Sequence, residues 1–590
     1  MNFLKYNSYL CQDMALDKQW IVKEPGNPAL VRKLAEDLGV DEALANLLVQ
    51  RNIKTFAEAK SFFRPKLEEL HDPFLMKDMD HAVERLDRAL TNNEKILVYG
   101  DYDVDGTTAV ALVFSFLRNL HKNMGYYIPD RYDEGYGVSY KGIDWAHENG
   151  YSLIIALDCG IKAVEKVAYA QTLGIDFIIC DHHLPDDRLP DAVAVLDPKR
   201  TDCSYPFDDL SGCGVGFKFM QAFASHRHLE FNQLIPLMDL LVVSIASDLV
   251  LMTGENRILA HFGLKQLNES PRKGLLSIIK LSGLEKHVIT IDDIVFKIGP
   301  RINAAGRMES GKTAVDLLIS RNDDEARNIG DTINTHNNDR KSIDREITQA
   351  AIEMAATAKD YTERKSTVLY NPSWHKGVLG IVASRLVETY YRPTIVLTES
   401  NGFITGSARS IPGFDLYEAI ESCSDLLENF GGHMYAAGLT LKEANFAQFC
   451  TRFEEFVRNK ITKELLTPII NIDTYLEFRQ ITPKFFRILK QFQPFGPGNM
   501  SPVFITENVY DNGNGRRVGS DAGHLKLELI QEDEPHRHIS AIAFNRAEHF
   551  EHLKSGNPVD ICYSIAENYY RGIANIQLRV RDIKLREEII

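Results

Sequence analysis

The sequence predicts an α/β protein of several domains, and three observations carry that prediction. Short apolar, β-branched runs alternate with helical stretches between about residues 94 and 196. A charged, alanine-rich segment nearly free of Gly and Pro follows at roughly Asp323–Lys359. From about residue 465 the pattern turns to short alternating strands divided by turn signals. Together these read as a parallel-sheet domain, a long connecting helix, a smaller α/β domain and a terminal β-barrel. A chain of 590 residues is too long for one hydrophobic core and needs such a division.

The first section, 1–70, is helical in pattern. Pro28 opens ALVRKLAEDLGVDEALANLLVQ, with apolar residues at helical spacing and Gly39 as a break, which reads as a small packing cap. The next section, 71–320, holds five candidate strands: Lys95–Gly100 (KILVYG), Tyr126–Ile128, Leu153–Leu157 (LIIAL), Asp176–Cys180 (DFIIC) and Ala192–Leu196 (AVAVL). Helices are predicted at Thr107–Leu120 and Lys162–Leu173, then through most of 213–285. Continuously apolar strands alternating with helices indicate a parallel sheet covered on both faces, with ligands at the carboxyl ends of its strands. The connecting helix takes up 321–360. The smaller α/β domain, 361–460, has Thr367–Tyr370, a helix near Val378–Tyr390 and a strand at Thr394–Thr398. The last section, 461–590, carries the DNGNG turn at Asp511–Gly515 and reads as a small barrel. No internal repeat or low-complexity stretch is present.

Composition narrows the class. Hydrophobic content of 44% and charged content of 25% are ordinary for a globular protein. No stretch of about 18 apolar residues predicts a membrane span. The N-terminus lacks a basic segment followed by an apolar one, so no secretory signal is expected, and Met14 offers an alternative start. Of the eight cysteines, Cys11, Cys159, Cys180, Cys203, Cys213, Cys423, Cys450 and Cys562, none forms a CxxC pair. A structural zinc site is therefore not indicated, and a reducing cytoplasm is the simplest setting. The net charge of −15 argues against nucleic-acid binding unless acidic residues gather at metals and basic ones line a local groove.

The acidic residues do gather. GDYDVDGTT places Asp101, Asp103 and Asp105 directly after the first strand, the third strand ends in Asp158-Cys159-Gly160, and the fourth in Asp181-His182-His183. One such segment is equally well a turn. Three successive strand ends bearing ligand-type side chains point instead to cations that neutralise the carboxylates. The mixture of carboxylate and imidazole suits Mn²⁺ better than Mg²⁺ alone. Asp248 interrupts the buried pattern after LLVVSIAS and is a further candidate. So many carboxylates suggest two divalent metals and hydrolysis of a phosphodiester or phosphoanhydride.

These residues resemble the DHH phosphoesterase superfamily, named for the triplet at Asp181–His183, and its RecJ branch in particular. DYDVDG, LDCG, DHH, the Asp248 segment, PRINAAGR (Pro300–Arg307), WHKGVLGIVASRL (Trp374–Leu386), GSARS (Gly406–Ser410), GGHMYAAG (Gly431–Gly438) and PFGPGN (Pro494–Asn499) lie in RecJ order from about residue 70 onward. The resemblance implies DHH, DHHA1 and OB-fold domains and a single-stranded-DNA-specific 5′→3′ exonuclease of recombination and repair, releasing 5′-mononucleotides. It implies metal ligation by Asp101, Asp103, Asp105, Asp158, His182 and Asp248, with Asp105, Asp158 and His183 catalytic. Some relatives carry His at Tyr99, which implies a weaker ligand set for one metal here. Asn303, Arg307, His375, Arg385, Ser407, Arg409, Gly432 and His433 would bind substrate, with Ser407 and Arg409 on a terminal 5′-phosphate. Anchoring that phosphate would set the distance to the metals and so the polarity. Arg516, Arg517, His524, Lys526 and Phe544 are candidates for the strand-binding barrel. The implied partners are single-stranded DNA, single-strand-binding protein and a RecQ-type helicase, with the chain a monomer. An oligonucleotide or cyclic-dinucleotide phosphodiesterase would lack the terminal barrel, a manganese pyrophosphatase the GGH pattern, and a dead replication scaffold the carboxylates.

Overall fold

The computed structural model describes residues 17–308, 310–357, 361, 363–532, 534–570 and 573–586, so Cys11 and Met14 lie outside it. It divides into two compact units. The larger is built on Ile21–Asn303, Gly311–Gly330 and the chain from Asn471; the smaller is built on Ala304–Ser310 and Asp331–Ile470. The seven described cysteines are free, and no described helix is long and apolar enough to cross a membrane.

In the larger unit the five predicted strands form one parallel sheet. They are β1 (Ile96–Gly100), β2 (Met124–Tyr127), β3 (Leu153–Leu157), β4 (Asp176–Cys180) and β5 (Ala194–Leu196), in spatial order β2-β1-β3-β4-β5. β1 and β3 are buried along their whole length because helices cover both faces, which is why their sequences are apolar without alternation. Leu97, Tyr99, Ile154, Ala156, Phe177 and Ile179 pack beneath the helices Tyr140–Glu148 and Val164–Thr172. The Tyr140–Glu148 helix escapes the sequence pattern because it is short and carries Gly142, but Ser139 caps it, accepting from Gly142 N at 2.9 Å. The helix expected at Thr107–Leu120 runs Val104–Leu117. It starts early because the Asp103 carboxylate caps it, accepting from Gly106 N at 3.0 Å. Gly106 is required there: a Cβ would stand 2.5 Å from the Asp101 carbonyl oxygen.

In the smaller unit, strands β6 (Thr367–Tyr370), β7 (Thr394–Ser400), β8 (Phe403–Arg409), β9 (Leu427–His433) and β10 (Ala436–Leu441) form a mixed sheet ordered β9-β10-β8-β7-β6. Only β6 and β7 pair in parallel. Val396 packs with the helix Leu379–Tyr390, whereas Ile395, Leu397, Ala408 and Leu439 pack with the helix Phe446–Lys460. The long charged segment is a 35-residue helix, Asp323–Thr357, as its composition predicts.

The C-terminal section closes into the expected barrel. Strands β11 (Phe504–Asp511), β12 (His524–Gln531), β13 (Ile539–Ala543), β14 (Val559–Tyr570) and β15 (Ile573–Leu585) pair in the ring β11-β14-β15-β13-β12, completed by β12 on β11. The barrel's Leu525, Leu527, Val559 and Ile561 share one core with Leu34, Leu44, Leu47 and Leu48 of the N-terminal helices. Each such side chain contributes about 1.5–3 kcal/mol of burial. The N-terminal section is thus part of the barrel's support. Arg257 ties it further: its guanidinium lies 3.7 Å over the Phe62 ring and donates to carbonyls of Phe62, Phe492 and Pro494.

Candidate metal centre and phosphate-binding face

Strand register builds the first site. Gly100, Leu157, Cys180 and Leu196 are the last residues of β1, β3, β4 and β5, and they pair with one another in one row. The next residue of each strand is therefore delivered to the same edge: Asp101, Asp158, Asp181 and Asp197. All four are buried. The ladder continues past the strands, Asp158 N donating to Cys180 O and Asp181 N to Leu196 O, both within 3.0 Å. Asp197 is a member that sequence reading missed. Its signal was available, since AVAVLDPK repeats the pattern of an apolar strand ending in Asp.

The carboxylates differ in what they already hold. Asp105 is held by backbone, its oxygens accepting from Gly212 N at 2.7 Å and Cys213 N at 2.9 Å, and it accepts from Ser244 Oγ at 2.6 Å. Asp181 is saturated: it accepts from the backbone N–H of Ile161, His182 and His183 and lies 2.7 Å from His183 Nδ1. Among the described residues, Asp101 Oδ2 and Asp197 Oδ2 are buried without a hydrogen-bond partner, and Asp158 Oδ1 faces only the His182 imidazole, without a hydrogen bond. Asp158 also holds a left-handed backbone, φ 58°, a conformation that costs energy outside glycine and is less costly for Asp and Asn.

Three carboxylates converge on one imidazole. His182 Nε2 lies 3.2 Å from Asp158, 3.6 Å from Asp248 and 3.9 Å from Asp105. Two groups of possible ligands share that imidazole, Asp105–His182–Asp248 and Asp158–His182–His183, and within each the donor atoms lie within 4.8 Å of one another. Asp248 joins them as the C-terminal cap residue of the helix Met238–Ser247. Asp103 stands at the start of the helix that carries Asp105. The Tyr99 hydroxyl instead donates to Gly137 O and accepts from Ser139 N, its ring stacked on Tyr127 in the core.

The electrostatics fit a cation. Burial, then neighbouring carboxylates, push the carboxyls of Asp101, Asp103 and Asp158 above their usual range and that of Asp248 up to about 8. Burial, with the Asp181 charge adding to it, pushes Asp197 up to about 7 against its own backbone hydrogen bond. Burial also opposes charge on Asp181 and His183, but their mutual hydrogen bond prevails, holding Asp181 down to about 2 and His183 up to about 9. Orphaned, mutually repelling carboxylate oxygens beside an imidazole are the donor set of a Mn²⁺-type ion, which would remove both penalties. Tyr136, also missed from sequence, sits in a loop with two left-handed glycines, Gly135 and Gly137, and its hydroxyl lies 3.3 Å from His183 Nε2.

The smaller unit builds a different surface. Pairing aligns Arg409 with Ala436 and His433, and Ser407 with Gly438 and Gly431, so all share one face of the sheet. Gly431 and Gly438 leave its floor free of side chains, since a Cβ at Gly431 would meet nothing within 4 Å. Gly432 has φ 147°, and a Cβ there would stand 2.3 Å from Ala436 O. Arg409 donates to Ser407 Oγ at 2.8 Å, and His433 Nδ1 accepts from Tyr435 N at 3.3 Å. Arg307 and His375 meet at Gly377, one donating to its carbonyl and the other accepting from its N–H. Arg385 pairs with the buried Asp344 at 2.7 Å, away from Ser407 and Arg409 in hydrogen bonding. Asn303, in the larger unit, has a buried Oδ1 without a hydrogen-bond partner among the described residues.

On the barrel the five candidates separate. Lys526 lines a groove of about 450 Å³ with Arg537, His538 and Asn568. Arg516 lies opposite Lys526 on the neighbouring strand. Arg517 instead turns to Glu551 and the Phe550 ring. His524 packs edge-on to the exposed Phe544, over which Arg579 also lies.

Comparison with known proteins agrees with this architecture. Models of the DHH family N-terminal domain, the DHHA1 domain and the RecJ OB domain match residues 95–245, 364–459 and 472–582. The single-stranded-DNA-specific exonuclease RecJ of Bacillus subtilis is 35% identical over 576 residues, covering 97% of this chain and 72% of that protein. Its Escherichia coli counterpart is 32% identical over 527 residues, covering 86% of this chain and 90% of that one. The crystal structure of RecJ in complex with Mn²⁺ from Thermus thermophilus superposes with a TM-score of 0.82 at 26% identity, covering 96% of this chain and 80% of that one.

Proposed function

The chain belongs to the RecJ family, and from that premise we propose that it is a metal-dependent exonuclease acting on single-stranded DNA from the 5′ end and releasing 5′-mononucleotides in recombination and repair. The observation that carries the reading is the buried row of strand-end aspartates with two ligand groups sharing His182. Asp101, Asp103, Asp105, Asp158, His182 and Asp248 would hold two divalent cations, with Mn²⁺ preferred over Mg²⁺ because imidazole is among the donors. Bound there, the cations supply an activated water and charge neutralisation at the scissile phosphate.

The chain's own groups do the rest. Backbone N–H groups and Ser244 orient Asp105 before any substrate arrives. Asp181 fixes the His183 ring through Nδ1, and Nε2, which faces the Tyr136 hydroxyl at 3.3 Å, would be the donor to a phosphate oxygen. On the smaller unit, Ser407, Arg409, Gly432 and His433 would take the terminal 5′-phosphate on a floor without side chains. Arg307 and Arg385 are assigned to the neighbouring backbone, and Asn303 and His375 are further candidates for binding substrate. In this division of labour 71–320 holds metals, 321–360 is the connecting helix, 361–460 grips phosphate, and 461–590, supported by 1–70, binds the strand. Lys526 and Arg516 serve the groove, and Phe544 with His524 offers a stacking surface. A single-strand-binding protein and a RecQ-type helicase are the proposed partners of a cytoplasmic monomer.

Digestion of a 5′-labelled single strand with Mn²⁺ or Mg²⁺, beside its duplex and a dinucleotide, tests the reading. Mononucleotide release from the single strand alone is expected. Dinucleotide cleavage without digestion of the long strand would overturn it in favour of a short-oligonucleotide phosphodiesterase.

A further inference from the structure

At the far end of the helix that carries Asp105, the larger unit has a second feature that the nuclease reaction does not use. A cavity of about 590 Å³ is lined by Arg118, Arg272, Lys273 and Arg321, with Phe116 and Pro236 among its apolar walls. Asp105 and Arg118 are thirteen residues apart on or beside one helix, so at 1.5 Å per residue the cavity stands about 20 Å from the metal site.

The cations here are unequally compensated. Arg272 is neutralised by Asp239 at 2.8 Å, and Lys273 pairs with Asp323 at 2.7 Å. Arg118 and Arg321 have no carboxylate partner among the described residues. Arg118 donates to the Ile319 carbonyl at 2.9 Å, and Arg321 to the Asn119 side-chain oxygen at 2.7 Å. Arg118 Nε is buried with no hydrogen-bond partner among the described residues. Burial, Arg321 and Arg272 together push the Arg118 guanidinium down to about 10. The carbonyls at the end of the helix Gly311–Ile319 fix the guanidiniums from one side, Leu318 O accepting from Arg272 and Ile319 O from Arg118. The helix Lys273–Leu281, whose N-terminus has no side-chain cap, begins in the same wall.

From this geometry we propose that the cavity is a second ligand site, which binds a phosphomonoester through Arg118 and Arg321. Two uncompensated guanidiniums match the charge of a phosphomonoester, about −1.5 to −2, where a carboxylate supplies only −1. Their planar forks suit its oxygens. The volume and the apolar walls leave room for a base beyond the phosphate, so a 5′-mononucleotide is the natural ligand. The nucleotide rests on the exonuclease reading; the phosphate chemistry does not.

The test is calorimetric titration of the full chain with inorganic phosphate, thymidine 5′-monophosphate and thymidine. It is run in chelator and in an Arg409→Ala background, which weakens the proposed phosphate-binding face of the smaller unit. One saturable site for phosphate and for the nucleotide, but not for the nucleoside, is expected. Arg118→Gln with Arg321→Gln should weaken it about tenfold or more, the loss that follows removal of charge-assisted hydrogen bonds. Arg321→Glu, at an exposed position, gives the same readout should the double variant not fold. No saturable binding, affinity unchanged by these substitutions, or uptake of an acidic peptide but not phosphate would overturn the proposal. Binding is read without turnover and digestion separately, so loss of this site leaves the exonuclease reading untouched.

Discussion

At the edge of the parallel sheet, carboxylates are buried among carboxylates, several of their oxygens have no partner, and burial and mutual repulsion raise their proton affinity. In the smaller unit the basic groups are partly exposed, and each leans on a neighbour of its own: Arg409, on the mixed sheet, on Ser407, and the helical Arg385 and Arg307 on Asp344 and Gly377. The first region is relieved by protons or by a cation. The second is stable as built and can exchange one hydrogen-bond partner for another. Buried charge of one sign therefore marks the proposed metal centre, while the proposed phosphate-binding face has to be recognised from its empty glycine floor and its register.

That contrast can be broken at the metal edge most severely. Asp158→Asn keeps the shape and suits the left-handed backbone at φ 58°, so it removes charge alone. We expect nuclease activity to fall on the order of 10³-fold, while the melting temperature of the chelated protein rises. A lowered melting temperature would show that this carboxylate is not under repulsion.

Asp181→Asn asks whether the saturated carboxylate works through its neighbour. Freed from its anchor, His183 should lose orientation and activity should drop about 10–100-fold, with Mn²⁺ stoichiometry unchanged in a metal titration.

Arg409→Ala probes the other region. It should weaken discrimination between 5′-phosphorylated and 5′-hydroxyl strands about tenfold, read as a change in KM, with kcat nearly unchanged. Unaltered end preference would remove Arg409 from the phosphate site.

The smallest effect is on stability against pH. Carboxyls raised in the folded state, Asp248 to about 8 among them, stabilise below their unfolded value near 4 and lose that contribution as pH rises through the folded one. His183, raised to about 9, acts in the same direction, while His182, lowered by burial, partly opposes it. Asp181, held near 2, contributes throughout this window and fails only in acid. The chelated protein should therefore melt lower at pH 8 than at pH 5, by about a few degrees. Added Mn²⁺ should reverse the trend, because metal and proton compete for the same oxygens.

Much of this was legible in the residues. DYDVDG, LDCG and DHH each follow a strand that reads as apolar without alternation, and local pattern is enough to place them at one edge. The terminal barrel was visible in its alternating strands and the DNGNG turn. Asp197 was legible too, since AVAVLDPK repeats the apolar strand ending in Asp, whereas a Tyr between glycines, as at Tyr136, has no distinctive spacing of its own.

What the sequence by itself determined is the set of elements and the chemistry at their ends. Strand period, helix caps and the cost of unpaired charge act over a few residues and can be read there. Tertiary structure alone decided which carboxylates are saturated, that Asp197 completes the row, and that Leu34 and Leu47 lie in the barrel's core. It also decided that Arg118, Arg272 and Arg321 share one cavity. Those outcomes depend on strand register and on packing between segments hundreds of residues apart, which local propensity does not encode.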